Sequence, residues 1–157
     1  MKGKLYVYTD GASRGNPGDA GVGAVISNQL GQTLKKHKEY IGETTNNVAE
    51  YRALISGLEL ARTYKPEGLE LFVDSELVFC QLRGVYRVKS KHLLPLYRRA
   101  SKLMAMTPNC ELRLVPREEN TEADKLAGQA IKEEKRAKAL REKAGSARKT
   151  LPEGGSP

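Results

Sequence analysis

Tyr8-Thr9-Asp10-Gly11-Ala12-Ser13-Arg14-Gly15-Asn16-Pro17-Gly18 is the stretch on which the fold of this chain turns. Before it, Leu5, Val7 and Thr9 alternate with Tyr6 and Tyr8. Residues 4–9 therefore read as a first strand with both faces partly buried. From Asp10 to Ala20 the density of Gly, Asn and Pro reads as a loop. Asp10 then stands at the end of the first strand, where open α/β sheets gather functional groups.

Working outward, residues 21–27 and 33–41 read as two further strands, with turn residues Asn28-Gln29-Leu30-Gly31 between them. The apolar period then changes from 2 to 3.6. Val48, Tyr51, Leu54, Ile55, Leu58 and Ala61 line one face of a helix over 46–63, which Pro66 and Gly68 end. Leu69, Leu71 and Val73 give a short buried strand, followed by a helix over 75–83 and a loop to His92. A helix over 93–106 carries Pro95 in its first turn, where proline is tolerated. Leu112, Leu114 and Val115 form a last strand, and a final helix runs over 121–143. The order βββαβααβα predicts an α/β fold. Its core is a mixed five-stranded sheet, three antiparallel plus two parallel strands, flanked by helices. Gly, Ser, Pro and Lys beyond Gly145 predict a flexible end, so the chain divides into a domain over 1–143 and a tail over 144–157.

A chain of 157 residues holds one domain with a real core. No stretch approaches the roughly 18 apolar residues of a membrane span. The opening Met1-Lys2-Gly3-Lys4 lacks the apolar region of a secretory signal, and Cys80 and Cys110 form no close-spaced pair. A monomer in a reducing, cytoplasmic setting is expected. The net charge is +8, and residues 132–157, with eight Lys/Arg and four Glu, carry +4 of it. A polyanionic partner suits that balance, but so does an ordinary basic soluble protein.

Four carboxylates occupy special places: Asp10 and Asp74 at strand ends, Glu50 and Asp124 in the first turns of helices. Each has an ordinary structural explanation. Asp10-Gly11 is a common turn pair. Glu50 fits a capping box with Asn47, Asp124 nearly the same with Thr121, and Asp74 could cap the helix that follows it. Taken together they converge if the first and fourth strands are parallel neighbours. Four such charges repel unless cations hold them. An all-oxygen set favours Mg²⁺, with Mn²⁺ as the alternative, over zinc. Two ions about 4 Å apart suit phosphodiester hydrolysis.

These same residues carry a resemblance. The stretch from Tyr8 to Gly18 resembles the opening motif of the type I ribonucleases H. Thr45-Asn46-Asn47-Val48-Ala49-Glu50 resembles that family's T-N-N-x-x-E helix start, Val73-Asp74-Ser75 its D-S strand end, and Asn120-Thr121-Glu122-Ala123-Asp124 its N-x-x-A-D helix start. The motifs stand in the family's order, and the likeness covers about residues 4–131. It implies a ribonuclease H fold. It also implies an endoribonuclease that cuts the RNA strand of RNA–DNA hybrids, leaving 5′-phosphate and 3′-hydroxyl ends. Asp10, Glu50, Asp74 and Asp124 would hold two metal ions. Gly11, Ala12 and Ser13, with Glu50, would meet RNA 2′-hydroxyls, the group that separates RNA from DNA. Asn16, Asn46 and Asn47 would meet the minor groove, and Thr45 a DNA phosphate.

Two departures stand out. Bacterial-type members carry a histidine on a loop before the last helix. Here that loop is Pro116-Arg117-Glu118-Glu119-Asn120, and Arg117 is nearest the vacant place, a fixed charge suited to a departing phosphate rather than a base. Some members insert a basic, tryptophan-bearing helix, whereas this chain has only Gly84 to His92 there and no Trp. The compact form predicts weaker hybrid binding unless something replaces the insert, and the basic tail is the candidate. The resemblance implies a phosphate-pocket residue near this loop, which either Ser90 or His92 would supply. The rival readings are a nuclease acting on double-stranded RNA and a hybrid-binding module without catalysis. The second fits poorly with four retained, mutually repelling carboxylates.

Overall fold

The computed structural model describes residues 3–150, with side chains through Ser146. Strands β1 (Lys4–Gly15), β2 (Gly18–Ser27) and β3 (Thr33–Thr44) form an antiparallel meander. Helix α1 (Asn46–Arg62) then crosses to β4 (Gly68–Val73), which pairs parallel with β1. Helices α2 (Glu76–Leu82) and α3 (Leu94–Ala105) lead to β5 (Cys110–Leu114), parallel to β4, and α4 runs from Thr121 to Thr150. The sheet order is β3-β2-β1-β4-β5, the mixed five-stranded sheet expected.

The stretch from Asp10 to Ala20 is not a loop. It is the outer half of a long β1–β2 hairpin, in which Asp10 pairs with Gly23 and Gly15 with Gly18. Gly15 and Gly18 make the turn of that hairpin, whereas Gly11 on β1 and Gly21 and Gly23 on β2 are glycines because helices press on the strands. A side chain at Gly23 would lie 2.2 Å from the Ala123 carbonyl of α4, and one at Gly21 would lie 2.5 Å from that of Ala127. Glycine inside a strand marks such close approach. Asp10 therefore does not end β1. What ends near it is the partnership with β4, whose last pair is Tyr8 with Phe72. Beyond that pair one edge of β1 stands open.

Alternation along β1 sends its side chains to two faces. Leu5 and Val7 join a core built on α1, with Tyr51, Leu54, Leu58, Leu69, Leu71, Leu103 and Leu112 among its buried members. Ala12, on the other face, packs against Ala127 and Ile131 of α4. Asp10 and Ala12, two residues apart, share that second face.

Helix α4 passes the expected end at residue 143. Ala144, Ala147, Arg148 and Lys149 are strong helix formers and outweigh Gly145 and Ser146. The expected flexible tail over 144–157 is thus helical as far as Thr150, and residues 151–157 lie outside the described ones. Among the described residues no helix is long and apolar enough to cross a membrane.

Candidate active site

Three elements bring carboxylates to the open edge of β1. Asp10 comes from β1, Glu50 from the second turn of α1, and Asp74 from the residue after β4. One oxygen from each lies within 4.8 Å of the others. None of the three plays the ordinary structural part its position offered. Asp10 is in a strand, not a turn. Thr45, not Asn47, caps α1, its hydroxyl accepting from the Val48 N–H at 3.3 Å. Glu50 instead reaches across to β1, where its Oε1 accepts the Gly11 N–H at 2.6 Å. Ser75, not Asp74, caps α2 through the Val78 N–H.

The cluster is costly to hold. Asp10 and Glu50 are both buried. Burial, the hydrogen bond to Glu50 and the charges of Glu50 and Asp74 drive the Asp10 carboxyl far above the usual carboxylate range. Burial also raises Glu50, against the opposing pull of Asp10, the Gly11 N–H and the Arg117 guanidinium. Among the described residues, the buried side-chain oxygens without a hydrogen-bond partner are Thr9 Oγ1, Asp10 Oδ2 and Asn120 Oδ1. All three sit in this cluster or in residues that brace it. An unsatisfied buried oxygen calls for an explanation. An all-oxygen donor set of repelling carboxylates with an unpartnered Asp10 oxygen fits a hard divalent cation.

Asp124 stands apart from this triad. It is exposed on the first turn of α4, close enough to Asp10 to contribute to its raised pKa, but outside the group whose oxygens converge. Arg117, on a short 3₁₀ turn (Arg117–Glu119), lines the carboxylate cleft together with Asn46 and Ser75.

The comparisons with known proteins agree with this geometry. Residues 8–130 match a family model described as reverse transcriptase-like. The ribonuclease HI of Halobacterium salinarum is 40% identical over 129 residues, 82% of this chain and 65% of that one. A bifunctional protein of Mycobacterium tuberculosis is 43% identical over the same share of this chain, but only 35% of its own length. The chain thus spans about a third to two thirds of these curated relatives. Among solved structures, RNase H1 of Halobacterium salinarum superposes with a TM-score of 0.81 at 40% identity, over 83% of this chain and 99% of that one. LC11-RNase H1, isolated from compost and solved with an RNA/DNA hybrid, gives 0.78 at 42%, over 82% and 97%.

The chain belongs to the type I ribonuclease H family.

It has the family's compact form: α2 and α3 are joined by residues 83–93 with no helix between them. The residues named by family resemblance fall into distinct surroundings. Gly11 is buried, its N–H spent on Glu50, and its lack of a side chain lets β1 touch α1. Ala12 points its methyl at α4. The Ser13 hydroxyl donates to the Thr44 carbonyl at 2.9 Å. Asn16 reaches from the hairpin tip to accept the Asn46 N–H at 3.1 Å, which ties the tip to the start of α1. Asn16, Thr45 and Asn47 line a second cleft, in which Ser90 and His92 both stand.

Asn120, which opens the N-x-x-A-D stretch, has a role that its sequence position does not reveal. It is 1% exposed, and its Nδ2 donates both to the Thr9 carbonyl at 2.9 Å and to Asp74 Oδ2 at 2.8 Å. One amide thus fixes β1, Asp74 and the start of α4 together. An asparagine four residues before an aspartate at a helix start was the available signal. Asn120→Ala is expected to destabilise the fold by about 2–3 kcal/mol, because a buried and a half-buried acceptor lose their donor. It should also weaken divalent-ion binding by freeing Asp74. Denaturation and ion titration check both; unchanged ion affinity would leave Asn120 a merely structural brace.

Proposed function

We propose that this chain is an endoribonuclease that hydrolyses the RNA strand of RNA–DNA hybrids. It would leave 5′-phosphate and 3′-hydroxyl ends and act as a cytoplasmic monomer. The observation that carries the reading is the convergence of Asp10, Glu50 and Asp74 on an open strand edge, with a buried Asp10 oxygen left unpartnered. Relatives that share about 40% of the sequence are named ribonucleases H, and one is solved on a hybrid. The two cysteines are free thiols, which suits a reducing compartment. Residues 1–143 form the catalytic unit with 144–157 as an appendage, a division supported by Ile131 being the last fully buried residue of α4 among those whose side chains are described.

Asp10, Glu50, Asp74 and Asp124 would hold two Mg²⁺ ions, or Mn²⁺. When bound, the ions supply Lewis acidity that activates water and stabilises the leaving oxygen. The protein's own part is positioning. The Gly11 N–H fixes Glu50, Asn120 fixes Asp74, and the pleat of β1 presents Asp10 between them. The strand edge from Gly11 to Ser13 lets the RNA backbone approach, while Asn16, Asn46, Asn47 and Thr45 form the adjoining polar surface for the minor groove and the DNA strand. Arg117 faces the cleft as a fixed positive charge that accompanies the departing phosphate.

Cleavage of a labelled hybrid with and without Mg²⁺ tests the reading, with single-stranded and double-stranded RNA as alternative substrates. An inactive wild-type protein would sink it. For Arg117, we expect Arg117→Ala to lower kcat about 10-fold under saturating Mg²⁺. An unchanged kcat would discard that role.

A further inference from the structure

Helix α4 leaves the sheet at Ile131 yet continues to Thr150. Every described side chain from Lys132 to Ser146 is exposed or half-exposed. A solvated helix of mixed charge is the ordinary account of such a segment, and it places acids and bases on every face. Here the signs are largely sorted. Glu122 and Glu133 stand eleven residues, about three turns, apart. Both turn toward the edge strand β3 and pair with Lys36 and Lys38, each at 2.7 Å. Glu134 is half-buried and pairs with Arg141 at 2.7 Å. Of the acids in this segment only Glu142 has no ion pair among the described residues, and it stands seven residues, about two turns, beyond Lys135 on the same edge.

Most of the bases left over form a row, with Lys138 off it on another face. Lys132, Arg136 and Lys143 lie seven, eleven and eighteen residues beyond Lys125, about two, three and five helical turns. All four are exposed and unpaired among the described residues. Lys135 lies eleven residues beyond Asp124, so it continues the edge of α4 that begins at the carboxylates. On that edge, Arg14 of the β1 tip brings its guanidinium over Gly128, to 3.1 Å from where a side chain would start. The cations thus begin beside the carboxylate cleft and extend about 27 Å along the helix from Lys125 to Lys143.

We infer that this row is a handhold for nucleic acid, taking the phosphate backbone of a duplex outside the catalytic cleft. The inference rests on the hybrid reading above. Spaced cations without an aromatic platform suit sequence-independent phosphate contact. A membrane-binding helix would need an apolar face opposite the charges. Over 132–146 the one large apolar side chain exposed is Leu140.

The test uses the full chain carrying Asp10→Asn, which leaves hybrids uncut, with and without K132Q/K135Q/R136Q/K143Q. Glutamine keeps helix propensity and removes charge. Hybrids of about 24 and about 8 base pairs are titrated by fluorescence anisotropy over a range of KCl, the shorter being too short to lie along the row. On the longer hybrid the quadruple substitution should weaken binding at least about 10-fold near 0.1 M salt and make the log–log salt slope shallower by about 2 or more. On the shorter hybrid both effects should vanish. Equal slopes with and without the substitutions overturn the inference. So does row-dependent binding to phosphatidylserine vesicles with the hybrid slope unmoved. A wild-type protein that binds through the row but cuts nothing refutes the catalytic reading alone, whereas cutting with an unmoved slope refutes the row alone.

Discussion

Asp10→Asn is expected to abolish cleavage and, in the absence of divalent ions, to make the protein more stable than wild type. The two effects share one cause. Asp10 sits buried beside Glu50 and Asp74 with an oxygen that no protein group satisfies. Its carboxyl is driven above the value it has in an unfolded chain, so the native state binds a proton that the unfolded state gives up. Where the native state holds more protons, stability falls as pH rises. Metal-free wild type should therefore lose stability as pH climbs through the ordinary carboxylate range, from about 4 toward neutrality. Asparagine has nearly the same shape and no charge to give up, so the variant's profile should be flatter. At pH 7 the gain should be on the order of 2 kcal/mol, a melting temperature about 4–8 °C higher for a domain of this size. Divalent ions should reverse the order. An ion at about 100 times its Kd adds about 2.7 kcal/mol to the state that binds it, and the variant has lost a ligand. Cleavage should fall by at least about 10³-fold. A variant less stable than wild type in EDTA would refute the claim that this cluster stores repulsion for a cation. Retained cleavage would refute Asp10 as a ligand.

Element order and sheet topology were legible because period and length carry them. The switch from 2 to 3.6 at Val48, and the short apolar run Leu69 to Val73, are local signals of burial. Residues 10–20 were not legible, for a physical reason. Glycine reports that a side chain is unwelcome there, and a turn and a pressed strand give the same composition. Only the partner tells them apart: the backbone of α1 at Gly11, the turn itself at Gly15 and Gly18. The carboxylates show the same ambiguity from the other side. Glu50 three residues after Asn47 looks like a cap, and only the position of Gly11 reveals that its bond goes across to β1. Asn120 escaped because its two acceptors, Thr9 and Asp74, are far away in sequence. The run of α4 past Gly145 is not legible in composition, because Gly, Ser, Pro and Lys together signal disorder even where alanines and basic residues favour helix.

Gly11→Ala should be the most damaging small substitution in the molecule. A Cβ there would lie 2.1 Å from the Ala49 carbonyl carbon, 2.2 Å from its oxygen and 2.4 Å from the Glu50 nitrogen. Cβ has no rotamer by which to escape, and all three neighbours are backbone. Relief requires β1 and α1 to part, yet Ala49 and Tyr51 are fully buried and α1 is held by the core beneath it. The expected cost is about 3–5 kcal/mol, near the upper end for overpacking, because nothing at the contact can repack. Parting the two elements also stretches the 2.6 Å bond that fixes Glu50. A displacement of about 1 Å in a positioned group can cost about 10²-fold in rate, so whatever fraction still folds should cleave slowly. Gly145→Ala supplies the contrast. It lies in the exposed part of α4 with nothing within 4 Å of its Cβ, and should stabilise that helix by up to about 1 kcal/mol without touching the rate. Chemical denaturation and initial-rate measurements on the two variants separate a glycine required by contact from one that is merely tolerated. Wild-type stability and rate in Gly11→Ala would mean that β1 and α1 can separate freely, and the positioning of Glu50 through Gly11 would fall with that contact.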